Sequence, residues 1–268
     1  MIRVEAATSR AWHVRGAGIR SECVRPPRES HCGAPGITDM LNEVARSGVI
    51  PATRLELSEN ASLYTSGDRG QSLYLLERGA VKTVTHSLAG KDCLLDIHVG
   101  GDMIGESSLH SLSREETAIA MVPTSVIHLP YQPFLDHVVR AGWVDAWVQH
   151  LLARLNERQQ IITDMVTANC EWRLAATLLR LSRKLARPAG QDLHIGLHIT
   201  HQELSEMVGT TRSRIGFFLK NFRELGLVGA KQDGSLTVNE RRLSTFVLTR
   251  QEGRQAGGFI GHRAPRPV

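Results

Sequence analysis

Apolar residues along this chain follow two different periods, and the change between them divides it. From Thr53 to Pro130 they form short alternating or β-branched runs at Ser72–Glu77, Val81–Ser87, Cys93–His98 and Ser125–Leu129. Gly67-Asp68, Arg78-Gly79, Ala89-Gly90 and Gly100-Gly101-Asp102 punctuate the runs. Many short strands at such spacing predict a sandwich or barrel. Around Pro133 the period becomes helical and stays so to about Val166. Within that stretch Val144, Val148, Leu151, Leu155, Arg158, Ile162 and Met165 alternate steps of four and three, a heptad seam containing one arginine. Such a seam predicts that two copies of the helix pair. Trp143 and Trp147 widen the apolar face, so packing on the chain's own β domain is the alternative.

A second helical pattern begins near Ile199. Thr200 followed by Glu203 is a capping box, in which hydroxyl and carboxylate satisfy the N–H groups left open at a helix start. Leu204, Met207 and Val208 then form one buried stripe, and Gly209 supplies a left-handed stop. After Thr211 a second helix turns Ile215, Phe218, Leu219 and Phe222 inward, leaving Arg212, Ser213, Arg214, Gly216 and Phe217 outward. Beyond it, Leu227–Lys231 and Ser235–Val238 flank Gln232-Asp233-Gly234, a strong hairpin signal. Two helices around a tight turn plus a hairpin predict a winged helix-turn-helix, whose second helix offers its first turns to base edges in a major groove. Arg212 is the first candidate for base reading, because a guanidinium donates twice to guanine O6 and N7. Thr200, Thr211, Ser213, Arg214, Phe217 and Lys220 join it as candidate DNA contacts, and Lys231 beside the hairpin turn suits a phosphate. The bland alternative makes Arg212 and Arg214 ordinary solvated charges.

Charge sharpens this division. Residues 1–36 carry six basic against three acidic residues, residues 37–170 ten against 16, and residues 171–268 16 against eight. The positive charge therefore accompanies the helix-turn-helix, as phosphate neutralisation requires. No apolar run of membrane-spanning length and no secretion-signal core is present, so a cytoplasmic location without membrane contact is expected. Cys23, Cys32, Cys93 and Cys170 show no paired spacing and are expected to be free thiols. His86, His98, His110 and His128 lack metal-site spacing, so no metal is expected. The chain also lacks a nucleophile elbow, a P-loop, a zinc-protease pair and a dinucleotide fingerprint, which argues against an enzyme.

Taken in order, these parts resemble the CRP/FNR family of bacterial transcription regulators over about residues 40–245. Gly67-Asp68, Leu73-Tyr74-Leu75, Gly79-Ala80-Val81, the segment Gly101 to Glu106, and Ile199 through Lys220 carry the resemblance. It implies an α+β fold: an N-terminal jelly-roll-like β-roll of the cyclic-nucleotide-binding type over 37–132, a dimerisation helix over 133–166 and a winged helix over 167–248. Residues 1–36 are expected to be a disordered basic arm and 249–268 a disordered tail. It also implies a homodimer on a near-palindromic double-stranded DNA operator, with RNA polymerase as a further partner. The alternative is a cyclic-nucleotide sensor acting mainly through protein contacts.

In members that bind cyclic AMP, a Gly-Glu pair and a nearby Arg-Ser or Arg-Thr hold the ribose and phosphate. Gly105 and Glu106 match the pair and Thr117 matches the hydroxyl, but Glu116 stands where the phosphate-pairing arginine is expected. A carboxylate there repels a cyclic phosphate. Arg158 and Gln159 replace the small hydroxyl residues that contact adenine. A cyclic nucleotide is thus a doubtful cofactor and the effector is unknown. Arg158 is expected to meet an anionic effector, to pair with Glu116, or to extend its head into solvent. The oxygen-sensing branch holds an iron–sulfur cluster on closely spaced cysteines, which this chain does not match. In the recognition helix Ser213 and Phe217 replace the family's common glutamate and second arginine, so the operator is expected to differ. Phe217 is expected to touch a thymine methyl or to pack near the backbone sugars.

Overall fold

The computed structural model describes residues 43–44, 48–87, 90–189, 192–231 and 234–257. Among the described residues eight strands form the N-terminal region: β1 Thr53–Leu57, β2 Ser62–Tyr64, β3 Ser72–Arg78, β4 Ala80–His86, β5 Asp92–Val99, β6 Met103–Ile104, β7 Thr117–Ala120 and β8 Thr124–Pro130. They make two antiparallel four-stranded sheets, ordered β1-β8-β3-β6 and β2-β7-β4-β5. In β3 the near-continuous run Leu73-Tyr74-Leu75-Leu76 follows from burial on both faces. Leu73 and Leu75 join Ile127, Leu129, Phe134 and Trp147 on the outer face, whereas Tyr74 and Leu76 meet Tyr64, Val81 and Ala118 between the sheets.

Two helices follow the roll: α1 Tyr131–Arg140 and α2 Val144–Thr167. The single helix expected from 133 to 166 is thus interrupted, because Gly142 takes a left-handed φ of 71° and the chain turns there. Phe134 and Val138 of α1 and Trp147 of α2 are buried against the outer sheet.

The expected seam is exposed at Val144, Val148, Leu155, Ile162 and Met165 and departs from the exposed stripe at Leu151 and Arg158. Val144, Val148, Leu152, Leu155, Ile162 and Val166 are exposed, with Gln159 among them, whereas Leu151 packs toward the roll's outer core and Arg158 turns to β5. At about 100° per residue, Val148, Leu152, Leu155, Gln159, Ile162 and Val166 fall in one narrow stripe. Adjacent apolar pairs such as Leu151-Leu152 and Met165-Val166 satisfy either register, so the sequence alone does not choose. Arg158 therefore lies off the exposed stripe.

The C-terminal region contains α3 Cys170–Leu185, β9 Ala186–Ala189, β10 Asp192–Ile195, α4 His201–Val208, α5 Arg212–Glu224, β11 Val228–Ala230, β12 Leu236–Val238 and α6 Glu240–Gly257. Its sheet runs β11-β12-β10-β9. The core gathers Leu174, Leu178, Leu204, Ile215, Leu219, Phe222 and Val238, and roll residues Val84, Leu94 and Ile97 belong to the same cluster. Helix α6 extends to Gly257, so residues 249–257 are helical rather than a tail. The expected arm at 1–36 and the remainder of the tail lie outside the described residues, as do Cys23 and Cys32; Cys93 and Cys170 are free thiols.

Candidate nucleic-acid interface

The helix-turn-helix is built by local chemistry that its sequence announces. Thr200 Oγ1 accepts from the Glu203 N–H at 3.1 Å, and Glu203 Oε2 accepts from the Thr200 N–H at 2.8 Å, completing the capping box of α4. Gly209 ends the helix at φ 68° and the next helix is capped by Thr211, whose hydroxyl accepts from the Arg214 N–H at 3.4 Å. Thr200 is thus committed to a cap while remaining exposed.

Helix α5 buries Ile215, Leu219 and Phe222 completely and half-buries Phe218. Arg212, Ser213, Arg214, Phe217 and Lys220 are all exposed, Phe217 by 61%. An aromatic side chain left this open at a basic helix start is available to a partner. Thirteen residues make a rod of about 20 Å, which a B-DNA major groove admits. His201, at the start of α4, has its basicity lowered by burial and then by Arg223 and Arg212, so the positive face is carried by the arginines. In the wing Lys231 is exposed; its N–H donates to Ser235 O and its carbonyl accepts from the Gly234 N–H.

Arg173 fixes how these helices meet the long one. Its Nε donates to Val208 O at 2.9 Å, Nη2 to Gly209 O at 3.4 Å and Nη1 to Ala168 O at 2.9 Å. One guanidinium thereby gathers carbonyls from the end of α4 and the end of α2, groups a helix terminus leaves open. The sequence shows only an arginine three residues into an amphipathic helix, so this role was not readable there.

Within the roll, the positions matched to nucleotide contacts are occupied by the protein's own groups. Glu106 Oε1 lies 3.3 Å from His150 Nε2 and 3.9 Å from Arg154 Nε of α2. Burial works to raise this carboxyl, and His150 and Arg154 reverse that to leave it lowered. Glu116 accepts from Tyr64 OH at 3.0 Å and Ser107 Oγ at 3.3 Å, and Thr117 Oγ1 accepts from the Ser66 N–H at 3.0 Å. Arg158 Nη1 instead donates to Leu95 O at 2.9 Å, with Nη2 3.9 Å from Asp96, so it does not pair with Glu116 within the chain. Gln159 points to solvent.

Asp96 is the group that the sequence reading missed. It is buried on β5, and its Oδ2 receives Lys184 Nζ of α3 at 3.2 Å, Arg154 Nη1 of α2 at 3.5 Å and Arg158 Nη2 at 3.9 Å. Lys184 also reaches Asp102 Oδ2 at 3.1 Å, while Lys82 of β4 reaches Glu203 of α4 at 2.8 Å. Roll, long helix and DNA-binding region are thus tied by buried charge. A carboxylate and an imidazole two apart in the otherwise apolar run Cys93–Val99, Asp96 and His98, were the available signal.

Comparison with known proteins distinguishes the same two regions. Residues 54–141 match the cyclic nucleotide-binding domain and residues 172–245 the Crp-like helix-turn-helix domain. The chain is 23% identical over 210 residues to the electron transport regulator A of Shewanella oneidensis, covering 77% of this chain and 83% of that protein. It is 24% identical over 176 residues to the fumarate and nitrate reduction regulatory protein of Escherichia coli K12, covering 65% and 70%. In fold it resembles a mutant CooA from Carboxydothermus hydrogenoformans, with TM-score 0.61, 22% identity, and 73% and 88% of the two chains covered. A CRP/FNR-family transcriptional regulator from Thermus thermophilus gives TM-score 0.60, 22% identity, and 73% and 98% covered.

Proposed function

The chain belongs to the CRP/FNR family of transcription regulators and carries that family's helix-turn-helix, and from this premise we propose that it binds a near-palindromic operator as a homodimer. The observation that carries the proposal is the conjunction of an exposed apolar stripe on α2 with an exposed basic start on α5. Val148, Leu152, Leu155, Ile162 and Val166 would be covered by the same stripe of a second copy, an isologous contact that closes on itself. Gln159 sits within the stripe, where a polar residue fixes register. A two-fold dimer presents its recognition helices to successive major grooves about 34 Å apart.

In this reading Arg212 reads guanine, Phe217 contributes apolar contact at a thymine methyl, and Ser213, Arg214 and Lys220 set the helix in the groove. Lys231 of the wing takes a phosphate. RNA polymerase is the further protein partner, and the DNA target places the chain in the cytoplasm. The residues present disfavour standard cyclic-AMP binding, because Glu116 stands at the sequence position matched to the phosphate-pairing arginine and Glu106 is already engaged by His150 and Arg154. No helix among the described residues is long and apolar enough to cross a membrane.

The test is retention of sheared genomic DNA by the full-length protein and by Leu155→Glu and Arg212→Ala. Wild type retains a discrete set of fragments without added nucleotide, and both variants lose it. Equal retention by all three proteins would remove the proposed interface.

A further inference from the structure

Helix α4 is held at both ends by groups outside the α4–α5 pair. At its start Glu203 divides its two oxygens: Oε2 serves the cap on Thr200, and Oε1 accepts from Lys82 Nζ of β4 at 2.8 Å, with both side chains largely buried. At its end Arg173 of α3 donates to Val208 O and Gly209 O and, through Nη1, to Met165 O at 3.3 Å and Ala168 O at 2.9 Å where α2 closes. An eight-residue helix is about 12 Å long, so the two holds span its length. We propose that Arg173 and the Lys82–Glu203 pair are positioning groups that set the separation of the two recognition helices, and with it the half-site spacing that the protein accepts in its operator. This rests on the homodimer proposed above.

Three observations connect these holds to the recognition helix and to the dimer. Leu204, Met207 and Val208 of α4 share one close-packed core with Ile215, Leu219 and Phe222 of α5, so the two helices move as a unit. Cys170 Sγ lies 3.4 Å from Arg173 Nη2 and 3.9 Å from Arg214 Nη1, which brings the start of the recognition helix to the same joint. The joint also adjoins the exposed stripe of α2. Met165 Sδ lies 3.6 Å from where a Cβ on Gly209 would stand, and Ile162 and Val166, the last exposed positions of the stripe, are within one turn of Met165.

Small rotations at this joint matter on the scale of DNA. A turn of about 10° moves the tip of a rod of about 20 Å by about 3.5 Å, close to the rise of one base pair at about 3.4 Å, and two-fold symmetry applies it to both halves. Selectivity for spacing therefore requires a rigid joint, and the chemistry of the two holds supplies one. The acceptors around Arg173 are main-chain carbonyls and a thiol on three segments of chain, which a planar fork engages together and a lysine ammonium, as a point charge, does not. Burial works to raise the Glu203 carboxyl, and Lys82 and Thr200 reverse that to leave it lowered, so the pair with Lys82 is ionised. Because Glu203 also caps α4, Lys82 grips the helix through its own backbone.

Binding of the full-length protein to a panel of duplexes tests the proposal. Each duplex carries the half-site that the wild type selects as an inverted repeat, its centres stepped one base pair at a time around about 10 base pairs, and a single half-site completes the panel. Wild type is expected to lose at least about tenfold in affinity two base pairs from its best spacing, and Arg173→Lys and Lys82→Met less than about threefold over the same step, with single half-site affinity within about twofold of wild type. Lys82→Arg, which keeps the ion pair, restores the discrimination. The variants lie in different elements, α3 and β4, so either keeps the test decisive if the other does not fold. Discrimination as sharp as wild type in both variants, or an equal loss on every duplex including the single half-site, would overturn the proposal. A wild type that favours no inverted repeat over the single half-site would remove the homodimer reading itself, and the proposal with it.

Discussion

Replacing Asp96 by Asn tests whether the buried charge cluster holds roll, long helix and DNA-binding region together. The substitution keeps side-chain shape and leaves an oxygen to accept the Ile97 N–H, now bound at 2.8 Å to Oδ1, so it removes chiefly the charge. Burial alone would raise this carboxyl, but Lys184, His98, Arg158 and Arg154 more than reverse that and bring it from 3.8 to about 2. At about 1.4 kcal/mol per pH unit, that difference corresponds to about 2–3 kcal/mol of folding stability. Breaking a buried pair by removing one partner costs about 3–5 kcal/mol, but Lys184 retains Asp102, so the lower figure is expected. Urea unfolding at pH 7, with protein concentration held fixed, should show Asp96→Asn destabilised by about 2–3 kcal/mol. Because the folded-state value lies below the ordinary one, this stability is present above about pH 4 and is lost as pH falls through about 2. The gap between the two proteins should close over that window. A loss under about 0.5 kcal/mol at pH 7, the scatter of surface substitutions, would refute the reasoning.

Three further perturbations follow from the same structure. Burial pushes the His98 imidazole from 6.5 down to about 4 against the pull of Asp96, so stability present above about pH 6.5 should fall by about 3 kcal/mol toward pH 4. His98→Gln should flatten that slope in pH-dependent urea unfolding. Thr200→Ala removes the capping hydroxyl of α4 and should cost about 1 kcal/mol in the same assay. Leu155→Glu, which places charge in the exposed stripe, should convert a sedimenting dimer to monomer while leaving the far-ultraviolet circular dichroism unchanged.

Different parts of this molecule were legible to different degrees, for physical reasons. The helix-turn-helix was readable because its signals are local: Thr200 and Glu203 cap each other, Gly209 turns the chain, and Ile215, Leu219 and Phe222 define a face within one helix. Strands β3, β4, β5 and β8 announced themselves by length and pattern, whereas β2 and β6, of three and two residues, are too short to carry a period. Two seam positions of α2, Leu151 and Arg158, turn toward the roll and off the exposed stripe, because Leu151-Leu152 fits either face and only packing on the roll decides between them. Asp96 and Arg173 act through partners far along the chain or through backbone carbonyls, which no local pattern encodes. The resemblance marks Glu106, Glu116 and Thr117 as expected effector positions, whereas their engagement by His150, Arg154, Tyr64 and Ser66 is a property of the folded chain.

The most direct test of the central claim is selection of bound sequences from a random duplex library by the full-length protein without added nucleotide. The account predicts an inverted repeat whose half-sites are centred about 10 base pairs apart, with a guanine preference in each half that Arg212→Ala abolishes. Recovery of an unpaired half-site, or no enrichment over the starting library, would contradict it.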